Sequence, residues 1–106
     1  VAWILLLCAS VLEIAWAYFM KRSDGFSLPG PTAITIVAMI GSFALLAASL
    51  KTLPLGTAYT IWTGVGAVGA FAIGVLVLGE ALTPMRIFAA LFIVSGVVMM
   101  KLSNSS

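Results

Sequence analysis

The chain has 106 residues, 63% of them hydrophobic and 8% charged, with a formal net charge of +2 and no histidine. A water-soluble domain of this size cannot carry so much apolar surface, so the composition excludes a soluble globular protein and places the chain in lipid. The sequence has no basic cluster beyond Lys21-Arg22, no metal-ligand cluster, no nucleophile beside a base and no phosphate-cradling glycine loop. Nucleic-acid binding, a metal site, a cofactor and enzymatic chemistry are therefore not expected.

Four apolar stretches, about 2–20, 32–50, 57–78 and 85–101, predict one all-α integral membrane domain over 1–106. At about 1.5 Å rise per residue most can cross a hydrocarbon core of roughly 30 Å, the fourth with Lys101 snorkelling to the interface. Ala15-Trp16-Ala17 imitates a signal cleavage site, but no Lys or Arg precedes the apolar run, Glu13 interrupts it and three spans follow, so the first span is expected to be retained. Cys8, the one cysteine, reads as a small buried thiol among Leu and Ala. A polar turn at Lys21–Phe26 follows, and Pro29 and Pro31 punctuate the start of the second span. Loops at Lys51–Gly56 and Gly79–Pro84 separate the remaining spans, with Thr83 placed to cap the fourth helix and Pro84 at its first position. Ser103–Ser106 reads as a frayed tail.

Glu13 is the residue that calls for explanation. An acidic side chain in mid-span costs on the order of 2.5–3.5 kcal/mol on insertion scales, so it is expected to face the protein interior or a watery cavity. The other acidic residues, Asp24 and Glu80, fall in loops, where solvated surface charge is the ordinary reading. A carboxylate that must be either protonated or paired with a cation makes proton and cationic solute compete for one site, and that competition suffices to exchange one for the other. Helical spacing puts Ser10, Glu13, Trp16 and Ala17 on one face, so a hydroxyl and an indole lie a turn on either side of the carboxyl. Ser42, near the middle of the second span, is placed to donate to Glu13 if the first two helices pack together, although a serine there often bonds its own backbone.

The third span carries the densest pattern. Tyr59 and Trp62 share a face and can donate to a carboxylate or offer π-faces to a cation, or else simply pack against small residues. Beyond them the glycines from Gly64 to Gly74 allow close helix approach and local bending. The fourth span has no ionisable residue between Arg86 and Lys101, and its Ala89, Ala90, Ser95 and Gly96 suit packing or dimerisation.

Four thin helices offer little interior, so an oligomer is expected. Lys51 and Lys101 lie on the terminal side and Lys21, Arg22 and Arg86 on the other, an almost even balance. The positive-inside rule then sets no strong orientation, leaving open either a fixed, weakly biased topology or dual insertion with antiparallel pairing of opposite copies.

Glu13-x-x-Trp16-Ala17, Gly25-Phe26, Lys51-Thr52-Leu53-Pro54 running through Tyr59 to Trp62-Thr63-Gly64-x-Gly66-Ala67, and Gly79-Glu80 before Pro84-Met85-Arg86 together resemble the small multidrug resistance family. Trp16, Ser42 and Lys51-Thr52 tilt the likeness towards its guanidinium-exporting subtype. The resemblance implies an antiparallel homodimer of four-helix subunits, multi-pass in a bacterial inner (plasma) membrane. It implies proton-coupled export of guanidinium-type cations, with Glu13 binding substrate and protons. It further implies a hydrogen-bonding and aromatic shell of Trp16, Ser42, Tyr59 and Trp62, and a helix bend at Gly64-Val65-Gly66. Ser10 departs from the family pattern, which has Gly there, and its hydroxyl is expected to retune the site. The alternatives are a broader exporter of quaternary ammonium and hydrophobic cations, or a non-transporting structural or heterodimer-partner subunit.

Overall fold

A computed structural model describes residues 1–103 and contains four helices: α1 (Ala2–Arg22), α2 (Pro29–Ser49), α3 (Leu55–Leu76) and α4 (Pro84–Ser103). Each is long and apolar enough to cross a membrane. The boundaries depart from the sequence expectation mainly at the N-termini. α2 starts at Pro29 with both of its prolines in the first turn, where the missing N–H has no intrahelical acceptor to lose. α3 likewise starts at Leu55, directly after Pro54, and ends at Leu76, short of Leu78. Thr83 caps α4 as expected, its Oγ1 accepting from the Arg86 N–H at 3.2 Å. Ser103 is still helical, and the rest of the expected tail lies outside the described residues.

The turn after α1 is built on Ser23, which is buried. Its hydroxyl donates to the Met20 carbonyl (2.6 Å) and accepts from the Phe26 N–H (3.0 Å). Asp24, Gly25 and Phe26 all take left-handed φ values of 52°, 70° and 66°, so Gly25 is the one member of the turn that adopts its conformation without steric cost.

The helices form a layer and not a closed bundle. α1 packs along both α2 and α3, α4 packs on α3 alone, and α2 meets α3 only at one crossing, so the order across the layer is α2, α1, α3, α4. The Cα trace measures 45 × 35 × 16 Å, so the arrangement is flattened, although deeper than the roughly 4.6 Å Cα cylinder of a single helix. The shared core, made of Leu6, Ala9, Leu46, Ala58, Ile61 and Trp62, joins the first half of α1 to the end of α2 and the start of α3. α4 contributes no buried residue. Cys8 is exposed on the outward side of α1, correcting the expectation of a buried thiol: its neighbours Leu6 and Ala9 face the core and it does not.

Further along, α1 and α3 come together through glycine. A Cβ at Gly69 would run into the Ile14 side chain, and one at Gly64 into Val97 of α4. Replacing Gly69 with leucine is expected to push α1 off α3 and lower stability by about 1–3 kcal/mol, the usual range for overpacking. Reversible unfolding in mixed detergent micelles measures it, with Gly96→Leu, a site open on all sides, as the neutral control.

Candidate functional site

Glu13 sits next to the midpoint of α1, and its carboxyl lies directly against α3 at Gly66. Any β-carbon at Gly66 would occupy the space now held by Glu13 Oε1. That oxygen is buried and has no hydrogen-bond partner. Among the described residues the one ion pair is Arg86–Glu80, at 4.0 Å near the membrane surface, so no basic side chain neutralises Glu13.

The residues predicted to surround Glu13 assemble in the same region, but the hydrogen bonds run elsewhere. Ser42 packs against α1 as anticipated, yet its hydroxyl donates to the Ala9 carbonyl at 2.7 Å and not to Glu13. It also accepts the indole N–H of Trp62 at 3.0 Å. One buried oxygen thus links α1, α2 and α3, and the Trp62 donor that was free to reach the carboxyl is used to hold that link. The reason is position: Ser42 lies level with Ala9, one turn before Glu13, and the carbonyl there is within reach because Ala9 has no bulk to keep α2 away. Ser10 is buried too, and its hydroxyl donates back along its own helix to the Leu6 carbonyl at 2.9 Å, so it offers no donor to the carboxyl.

Trp16 is a turn beyond Glu13 and its indole nitrogen is buried without a partner. Its ring instead meets Phe43 of α2 edge-on, with centroids 6.3 Å apart. Phe43 in turn lies 5.8 Å from Trp62, and Trp62 lies 5.6 Å from Tyr59. Four rings from three helices therefore form one row, in which Phe43 and Tyr59 are each about half exposed (47% and 52%) while Trp62 is buried (7%). Phe43 escaped the sequence reading. Its signal was that it is the one aromatic residue of α2, adjacent to the serine already singled out.

Helical hydrogen bonding is continuous through Gly64-Val65-Gly66, since α3 runs unbroken from Leu55 to Leu76. The visible work of the two glycines is to admit neighbours from opposite sides: Val97 of α4 at Gly64 and the Glu13 carboxyl at Gly66. Among the described residues no group of acidic, histidine or cysteine side chains could hold a metal ion.

A half-buried carboxyl with one orphaned oxygen and no internal counter-ion, beside an aromatic row in a four-span layer, is a distinctive arrangement. Residues 1–94 match the family described as Small Multidrug Resistance protein. The chain belongs to the small multidrug resistance family. Within that family it is 52% identical over 102 residues to a protein of Salmonella typhimurium named guanidinium exporter, covering 96% of this chain and 97% of that one. Proteins of the same name from Escherichia coli K12 and Citrobacter freundii are 50% and 48% identical over 103 residues, each comparison covering 97% of this chain and 98% of the relative. As a small multidrug resistance protein the chain is a multi-pass membrane transporter.

The three-helix link gives a direct test. Ser42→Ala strands the Trp62 indole N–H in the core and frees the Ala9 carbonyl, and is expected to cost about 1–3 kcal/mol. Unfolding in micelles measures the loss, and a shift of the tryptophan emission reports the released indole.

Proposed function

We propose that the chain exports guanidinium and small guanidinyl cations in exchange for protons by alternating access, working as an antiparallel homodimer in the bacterial inner membrane. The observation that carries this reading is the Glu13 carboxyl, half-buried at mid-span against Gly66 with one buried, unpartnered oxygen and no basic neighbour. Beyond what hydrogen-bond donors can offer it, such a group is stabilised by a proton or by a cation, and the competition between those two is what an exchanger requires. The relatives named guanidinium exporter, alike over nearly the whole chain, supply the cation.

The chemistry agrees. A guanidinium ion is planar and presents paired N–H donors that match the two carboxylate oxygens, while a quaternary ammonium has no donor and would leave Oε1 unpaired. In this reading the cation sits on Glu13 and the proton leaves to the aqueous side then open. The exposed ring faces of Tyr59 and Phe43 flank the cation, Trp62 is held in place by Ser42, and Trp16 brings its free indole donor to the same shell. Ser10 acts on the site through the position of α1 and not through its hydroxyl, which Leu6 already takes. Gly64-Val65-Gly66 is where α3 bends as the cavity changes sides.

The flattened shape supports dimerisation. α4 buries no residue of its own, and in this reading a second four-helix domain over the open face completes the cavity. The near-even Lys and Arg balance between the two sides lets opposite insertions pair, giving two Glu13 carboxyls to one cavity.

In proteoliposomes, a guanidinium gradient is expected to drive opposite proton movement, and Glu13→Gln to abolish it. Unaltered exchange by that variant overturns the mechanism. Because the two ligands compete, the apparent guanidinium Kd should rise as pH falls, and a bulky aromatic quaternary ammonium should compete weakly at matched pH. Gly66→Ala, which keeps the carboxyl but displaces it, is expected to weaken guanidinium binding about tenfold to a hundredfold, the worth of one charge-assisted hydrogen bond. Isothermal titration in detergent reads that loss.

A further inference from the structure

The face of the layer turned away from the aromatic row carries a trough of its own. Tyr59 and Thr63 open on one side of α3. Ile61 and Val65, two residues further on in each case, point about 200° round the helix to the other. There the backbones of α1 and α4 do not approach each other, and the space between them is floored by α3 alone.

Two stretches of this space, of about 320 and 180 Å³, share Val65, Val97 and Val98 and so form one continuous groove. At its deep end lie Ile14 and Val94, level with the Glu13 region of α1. At its mouth, where α1 starts and α4 ends, lie Trp3 and Lys101. Apart from those two, every lining residue is aliphatic or glycine. From Val94 to Lys101 α4 rises roughly 10 Å, much of the roughly 15 Å thickness of one hydrocarbon leaflet.

The mouth is charged. The Lys101 ammonium is 4.6 Å from the centre of the Trp3 ring, bridging the gap between α4 and α1, and it forms no ion pair among the described residues. A tryptophan and a lysine at a helix end mark the headgroup level of a bilayer. The groove beneath them is apolar and open to the outside.

We propose that this trough is a binding site for an anionic glycerophospholipid, one acyl chain lying along Val65 and Val98 towards Ile14 and the phosphate resting on Lys101. The site needs neither Glu13 nor guanidinium. It places a lipid chain against Ile14, the residue after Glu13 that α3 receives at Gly69. A lipid seated there fills the space that α4 leaves beside α1, where the two helices are otherwise joined through α3 and the Lys101–Trp3 contact.

Native mass spectrometry of the detergent-purified protein, mixed with equal phosphatidylglycerol and phosphatidylcholine, tests the site. The wild type is expected to retain phosphatidylglycerol about fivefold over phosphatidylcholine. Lys101→Arg should keep that preference and Lys101→Gln lose it, while Val98→Phe, which fills the trough and spares the charge, should lower retention of both lipids. Equal preference in the wild type and Lys101→Gln, or unchanged retention by Val98→Phe, overturns the proposal. So does efficient disulfide cross-linking between copies through Val98→Cys in a Cys8→Ala background, since a second chain would then cover this face. Each of these readouts is independent of transport, so failure here leaves the exchange mechanism standing, and the reverse.

Discussion

The close contact between the Glu13 carboxyl and Gly66 is the constraint around which the chain is arranged. A carboxyl at mid-membrane must be shielded from lipid without being neutralised, or it would be useless to a passing cation. The chain achieves this by removing the side chain opposite it. α3 therefore runs against α1 at a glycine, Gly69 a turn further on admits Ile14 at the same seam, and the aromatic rings gather a turn away in the other direction. A bulky residue at Gly66 would be compatible with four membrane-spanning helices but not with this site.

The layer is consequently two structures in one. Its terminal half has a real core, with Leu6, Ala9, Leu46, Ala58, Ile61 and Trp62 packed around the Ser42 hydroxyl. Its other half is held by glycine contacts and a short, left-handed turn at Asp24–Phe26. Burial is thus concentrated where the helices must stay together, and sparse where the proposed cycle requires them to part.

The spans were legible from the chain alone, because lipid permits only helices of a certain length and each apolar run announces one. Glu13 was legible for the same reason, since nothing else makes a carboxyl tolerable there. The family followed from the run between Lys51 and Ala67. What stayed hidden was direction. A serine in a membrane helix has its own backbone, a neighbouring backbone and nearby side chains as acceptors, and spacing alone does not choose among them: Ser10 turned to Leu6, Ser42 to Ala9, and Trp62 to Ser42. Phe43 was missed because a phenylalanine in an apolar helix is indistinguishable from lipid-facing filler until its neighbours are known. The inward reading of Cys8 failed on the same point, as its rotation on α1 depends on which face meets α2.

The Ser42 oxygen has a mechanical meaning beyond its hydrogen bonds. Three helices meet at a single buried atom, and none of them can translate at that level without breaking a contact, though each can swivel about it. In the proposed exchange cycle such a joint favours rotation over sliding, about a point one turn to the terminal side of Glu13. Glu13 would then have a short lever arm, and the turn at Asp24–Phe26, at the far end of α1, a long one. A fulcrum placed there would let the rim of the proposed cavity open and close while the carboxyl at its base keeps its grip.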